Sequence, residues 1–404
     1  MNYDASQELV FVMSLLNQII WRIIKTRPFN RILPRIYHVS VYQLKGKTKP
    51  NGSGLSTVVF GIKETAEYFS KLVYIEPPDI KFVQRIPLNQ FSSFAEKINA
   101  DLTIVDSNVS LSSFLIDKGF FVLPSLDFVL DIDVSLESIR SRFTESKLKR
   151  LKHLEKANYT YEITKDPAKI KYFYNEIYLP SVLSRYGKAA RPVSFHECER
   201  LFLKGFLLLI KFSSEYISGV ILVPEGDELY FPVANAKEIQ GSITIGNLLV
   251  YNQAILWGKQ NGFKTMDFGQ SPPFLFDGGL LMKKSWGMRI RPTKRTDANM
   301  LALKFSNLDK GVTDLLLSNP FVFVKGTKLN GLIFLGSDVA SLRRSHIRGL
   351  SDLFAISPVL DTSVCVDLKL QQLPSEQYDQ IFSSQTQFTK LCIEKGYAIY
   401  RLGF

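Results

Sequence analysis

Cysteine is scarce, with three residues in 404: Cys198, Cys365 and Cys392. They are far apart, odd in number and form no C-x-x-C pair, which excludes a disulfide framework and a thiolate metal site and points to a reducing compartment. The four histidines, His38, His153, His196 and His346, show neither H-E-x-x-H nor i,i+4 pairing, so no metal is expected. Long hydrophobic runs are missing too. The apolar stretch at 9–24 is interrupted by Asn17, Gln18 and Arg22, which makes it too short and too polar to span a bilayer. Asp4 and Glu8 precede it, the wrong sign for a secretion signal. It reads as an amphipathic helix with a basic tail, Arg27, Arg31 and Arg35. Two uses stay open: packing on the body of the protein, or peripheral contact with a membrane through residues 9–35. The expected location is cytoplasmic, and the second use would place the chain at the inner membrane face.

Acidic residues are in deficit, 38 against 50 Lys and Arg, for a net charge of +12. Such a balance suits an anionic cofactor, nucleic acid or an anionic membrane face without choosing among them. With 46% hydrophobic and 12% aromatic residues there is ample material for packed cores, and the length exceeds what one core holds.

Alternating strands and helices run from about Ile36 to Val134, with strands at 58–62, 102–105, 120–123 and 127–132 and helices at 63–71 and 111–117. A basic helical region follows at 135–158, with Ser135 as N-cap and Leu136, Ile139, Phe143, Leu151 and Leu154 approximating an apolar stripe. Its cations, Lys149 and Arg150 among them, form either a solvated face or the wall of a groove for phosphates. The order then becomes regular: strand 159–164, a helix capped by Asp166 with Pro167 at its first position, a helix opened by the capping box Ser194 to Glu197, strands at 206–212, 216–223 and 228–234, a helix at 247–259 and a strand at 264–268. That strand ends at Asp267, Phe268 and Gly269, and a loop rich in glycine and proline is expected to carry the chain to Trp286. Beyond Arg291 the pattern predicts strands at 332–336, 362–370 and 397–402 and a helix at 377–395. The fold class is α/β with mixed sheet, in four parts: an amphipathic basic segment 1–36, a first lobe 37–134, a second lobe 135–298 carrying the site, and a C-terminal α/β extension 299–404.

The order β-α-α-β-β-β-α-β resembles the GNAT acyltransferase fold. The residues that close it resemble its FemAB-like branch, in which a strand ending Asp-Phe-Gly is followed by Gly-Leu, a Phe-Lys pair and Trp-Gly. Here these are Asp267-Phe268-Gly269, Gly279-Leu280, Met282-Lys283 and Trp286-Gly287. Lys149 to Lys152 is similar to the basic helix that opens the second lobe of such proteins. The resemblance covers about Ser135 to Arg291. It implies tandem GNAT-like lobes and an acyltransferase drawing on acyl-CoA, or on aminoacyl-tRNA, with a small molecule, sugar, peptide or lipid-linked group as acceptor.

The resemblance implies a role for Lys283 beside the reacting carbonyl, where a cation stabilises the oxyanion; Met282 replaces the family's Phe, and Lys284 competes for the role. Asp267 either handles the acceptor's proton or only accepts backbone hydrogen bonds in a turn. Trp286 either lines the acceptor site with Lys149 and Arg150 or fills the core. The helix that starts near Gly246 offers its N-terminal amides to a donor pyrophosphate, through Gly241, Ser242, Gly246 and Asn247. The segment Gln240 to Gly246 departs from the Gln/Arg-x-x-Gly-x-Gly/Ala pattern of CoA users, which keeps the tRNA donor in play. A binding or scaffold protein on the same fold is the reading from a different class.

Overall fold

A computed structural model describes the chain except residues 1–37, 109–118, 155–158, 188–191, 213, 239–243, 295–298, 336–344, 361, 379–385 and 403–404. The amphipathic N-terminal segment, the helix expected at 111–117, and Gly241 and Ser242 therefore lie outside the described residues. No helix among the described residues is long and apolar enough to cross a membrane.

The described residues form three mixed sheets. The first joins β1 (His38–Lys47), β2 (Gly54–Phe60), β3 (Lys81–Pro87), β4 (Leu102–Asn108), β5 (Phe120–Val122) and β13 (Asn299–Phe305) in the order β3-β1-β2-β4-β13-β5. The second joins β6 (Leu126–Asp131), β7 (Tyr159–Thr164), β8 (Phe206–Phe212), β9 (Glu215–Glu225), β10 (Glu228–Ala236), β11 (Thr265–Ser271) and β12 (Arg289–Pro292) in the order β12-β6-β11-β10-β9-β8-β7. The third is β14 (Phe321–Lys325), β15 (Lys328–Phe334), β16 (Asp352–Pro358), β18 (Tyr397–Leu402) and β17 (Leu370–Gln372). The strands cross the expected lobe boundaries at both ends. β6 pairs with β11 and β12 in the second sheet, whereas β13 fills the place between β4 and β5 in the first.

The third sheet is buried on both faces, and strand periodicity assigns each side chain. On β15 and β16, Ile333, Leu353 and Ala355 join the core under the second sheet, while Leu332, Phe334, Phe354 and Ile356 join the core under the first. Continuous apolar runs are what such a strand requires.

From β7 to β11 the element order is the one the GNAT resemblance implies, and the helix caps fall as read: Asp166 accepts from Ala168 N at 2.8 Å and Ser194 from Glu197 N at 3.2 Å. Three local expectations change. The loop after β11 contains a helix, Gly278–Ser285, started by Asp277, whose Oδ1 accepts from Leu280 N at 2.9 Å. Residues Thr362–Asp367 are helical, and the strand of that region is the short β17, which begins only at Leu370. The basic region at 135–158 breaks into helices Leu136–Arg140 and Glu145–Leu154.

Candidate functional site

β10 and β11 are parallel and paired only from Glu228 to Tyr230 against Thr265 to Asp267. Beyond that point they part, for reasons readable in both strands. Pro232, lacking an N–H, can donate nothing to a neighbouring strand, and the β10–β9 register slips between Tyr230 and Val233. On β11 the register with β6 slips between Asp267 and Gln270, where Gly269 takes φ +71°. That left-handed conformation suits glycine alone among residues without a short polar side chain. Gly269→Ala should therefore cost about 1–2 kcal/mol and Gly269→Asn less, as read from urea denaturation midpoints.

Between the parted strands lies a cavity of about 530 Å³ lined by Tyr230, Phe231, Tyr251, Phe268, Gln270 and Lys283 among others. Tyr251 comes from the helix Thr244–Gln260 and stacks on Phe268 at 5.3 Å between ring centroids, so one wall is aromatic. Lys283 comes from the helix Gly278–Ser285 and is only 6% exposed. Its Nζ donates to Gly269 O at 3.1 Å and Gln270 O at 2.7 Å and lies 5.0 Å from the centre of the Phe128 ring. An ammonium has three protons; two go to these carbonyls and one is left for a ligand. Burial pulls the Lys283 pKa down to about 8, against the charges of Asp267, Asp277 and Asp127, which favour the cation. Lys284, the sequence competitor, does not line the cavity, although burial lowers its pKa to about 8 as well.

Asp267 is fully buried. Its Oδ1 accepts from Gly269 N at 2.8 Å and its Oδ2 from Arg291 Nη2 at 2.7 Å, so it holds the turn that shapes the cavity. Arg291 also makes a fork with Glu228, at 2.6 and 2.9 Å, and its Nε is 3.6 Å from Asp127 Oδ2. One guanidinium on β12 thus ties carboxylates on β6, β11 and β10, three strands adjacent in the second sheet. For Glu228, burial would raise the pKa, but the hydrogen bonds and charge of Arg291, helped by Lys294 and Thr265, bring it down to about 2. Arg291 itself is pushed above its ordinary value: burial opposes this, and Glu228, Asp267 and Asp127 outweigh it. Sequence reasoning missed this network. The available signal was Asp127, an acid between Leu126 and Phe128 in a largely apolar strand run, whose burial demands a cation.

The other expected residues fall around the cleft rather than in it. Trp286 is buried, edge-on to Phe143 at 5.0 Å and stacked on Tyr251 at 5.5 Å, so it braces the aromatic wall from behind. Lys149 and Arg150 are exposed, and Lys149 pairs with Glu145 at 2.7 Å. The cation of that helix which faces inward is Lys147, 4.6 Å from the centre of the Trp286 ring, with its pKa lowered to about 8 by burial and by Arg150. Its place in the i,i+4 row of Phe143 and Leu151 was the signal for it. Gly246 packs on the sheet: a Cβ there would lie 2.6 Å from Ala236 Cβ, so the glycine lets the helix approach β9 and β10. Asn247 is half-buried in the first turn of that helix.

The chain matches no family model and no curated protein. Among solved structures it is similar to FemX, at 14% identity over 64% of this chain and 83% of that one, with a TM-score of 0.37. It is also similar to L-PGS from Bacillus licheniformis (14% identity, 68% and 88% covered, TM-score 0.35). A third likeness is to a GCN5-related N-acetyltransferase from Sphaerobacter thermophilus (9% identity, 62% and 72% covered, TM-score 0.28).

Proposed function

We propose that the chain is an acyltransferase that moves an acyl group from acyl-CoA to an amine or hydroxyl on its acceptor. The observation that carries this reading is the cavity at the parting of β10 and β11 with the buried Lys283 ammonium in its lining. A thioester carbonyl placed there would take the remaining Lys283 proton as a hydrogen bond. That bond strengthens as negative charge grows on the tetrahedral oxygen, and burial amplifies it. The acceptor's nitrogen or oxygen attacks, the new C–N or C–O bond forms as the C–S bond breaks, and the acceptor's proton ends on the departing thiol. The rings of Phe231, Tyr251 and Phe268 suit an apolar acyl group. Asp267 serves by orientation, keeping Gly269 and Arg291 in place. In the same reading the donor's phosphates rest at the start of the helix Thr244–Gln260, near Gly241, Ser242 and Asn247, with Gly246 seating the helix. Lys149 and Arg150 face the acceptor, a small molecule, sugar, peptide or lipid-linked group, and Trp286 supports its wall.

The departure of residues 240–246 from the CoA pattern, with the charge of +12, favours a second reading in which the donor is an aminoacyl-tRNA whose ester carbonyl meets the same lysine. Thermal unfolding with CoA, acetyl-CoA and a 3′-aminoacyl-adenosine mimic distinguishes them. A donor at about a hundred times its Kd should stabilise the fold by about 2.7 kcal/mol. Stabilisation by the mimic alone replaces acyl-CoA with the tRNA donor; no stabilisation by any of the three leaves a binding or scaffold protein.

A further inference from the structure

Three arginines converge on one carboxylate at the far end of β6. Arg289 on β12 grips Asp131, with Nε 3.1 Å and Nη2 3.0 Å from Oδ1. Arg142 and Arg348 come only to 3.9 and 3.8 Å from Asp131 Oδ2, too far for hydrogen bonds. The main chain fixes them instead: Arg142 Nη1 donates to Asp131 O at 3.2 Å, and Arg348 Nη1 to Gly287 O at 3.0 Å. Asp131 neutralises one guanidinium, so the cluster keeps an excess of two positive charges. The side chains of Arg142, Arg289 and Arg348 are 20%, 33% and 41% exposed, open enough for a ligand and sheltered enough to feel one another. Arg348 shows the cost: burial first, then the charges of Arg142 and Arg289, lower its pKa, with Asp131 opposing. One arginine is enough to pair Asp131. Two more, held by the main chain with donors to spare, make a partly exposed guanidinium cluster of the kind that matches phosphate oxygens.

We propose that Arg142, Arg289 and Arg348 bind a phosphate group, as a monoester or diester, at a site separate from the cleft. β6 runs from Asp127, opposite Gln270 at the cleft, to Asp131. Four residues of strand at about 3.3 Å each put the phosphate site roughly 13 Å from the cleft. A soluble phosphorylated molecule or a lipid headgroup can supply the group. The site does not rest on acyl transfer, because its test reads binding alone.

The full chain is titrated with inorganic phosphate and with pyrophosphate at ionic strength held constant with sodium chloride, following the melting temperature. A saturable rise is expected, with the phosphate Kd weakened about tenfold in Arg348→Gln and in Arg142→Gln, one charge-assisted contact each. Lys204→Gln, on the unrelated helix Phe195–Lys204, should respond as the parent does. Arg348→Lys, which keeps the charge without the fork, should recover part of the affinity, guarding against a folding defect in Arg348→Gln. An equal response in the parent and both arginine variants, or the same rise with chloride alone, overturns the site. Sedimentation with phosphatidylcholine vesicles, with and without phosphatidic acid, identifies the source. Binding that needs phosphatidic acid and weakens in Arg348→Gln assigns a lipid headgroup; phosphate binding with no such vesicle difference assigns a soluble ligand.

Discussion

Arg291→Met should cost about 3–5 kcal/mol of stability at neutral pH, the range for removing one partner of a buried ion pair. The variant would leave Asp127, Asp267 and Glu228 facing one another at the strand ends without their shared cation. Its pH dependence separates this cause from lost packing. In the parent the Glu228 pKa is depressed from 4.5 to about 2, so its contribution is present above pH 4.5 and fades as the pH falls towards 2. In the variant Glu228 loses the Arg291 hydrogen bonds and charge that outweigh its burial and keeps only Lys294, 3.5 Å away, so its folded-state pKa moves up past the unfolded value and the fold gains stability as the pH falls and it takes up a proton. The deficit, measured from urea denaturation midpoints, should therefore shrink from pH 7.5 to pH 5. A deficit constant across that interval would mean that Arg291 matters by its volume alone.

Lys283→Ala should lower acyl transfer by about 10²–10³ in kcat, the scale of removing one oxyanion donor, and change donor Kd no more than a few-fold. In the proposed reaction its ammonium is the working form, held to two carbonyl oxygens that can only accept. A group with a pKa of about 8 loses that form as the pH rises, so kcat in the parent should fall above about pH 8. A profile that rises through pH 8 would make Lys283 a base instead. Unchanged turnover in Lys283→Ala would remove it from the chemistry altogether.

The stretch from 159 to 268 was largely legible because its signals are local. Ser194 and Glu197 announce a helix start, Asp166 and Pro167 another, and the runs at 206–234 alternate cleanly with turn residues between them. Lys283 and Asp267 could be singled out by their place in the Asp-Phe-Gly to Trp-Gly series, and both sit at the cleft. What stayed hidden depends on pairing over long sequence distances. Nothing near Arg291 tells that Asp127, 164 positions earlier, will lie on the neighbouring strand. Nor does Asn299–Phe305 reveal that it belongs beside Leu102–Asn108. The helix at 278–285 was masked by its own glycines, Gly278 and Gly279, which sit in the first turn behind the Asp277 cap, where their low helix propensity costs least.

The position of β13 decides how the protein can be made and cut. Since, among the described residues, β5 joins the first sheet only through β13, that sheet cannot close until the chain has been synthesised past residue 305. A nascent chain must hold its early strands open while nearly two hundred further residues emerge, a topology of slow, non-local closure that exposes strand edges in the interval. A fragment ending before Asn299 would carry every residue that lines the cleft and still have a split first sheet, so the cleft-bearing part of this molecule is not separable from β13.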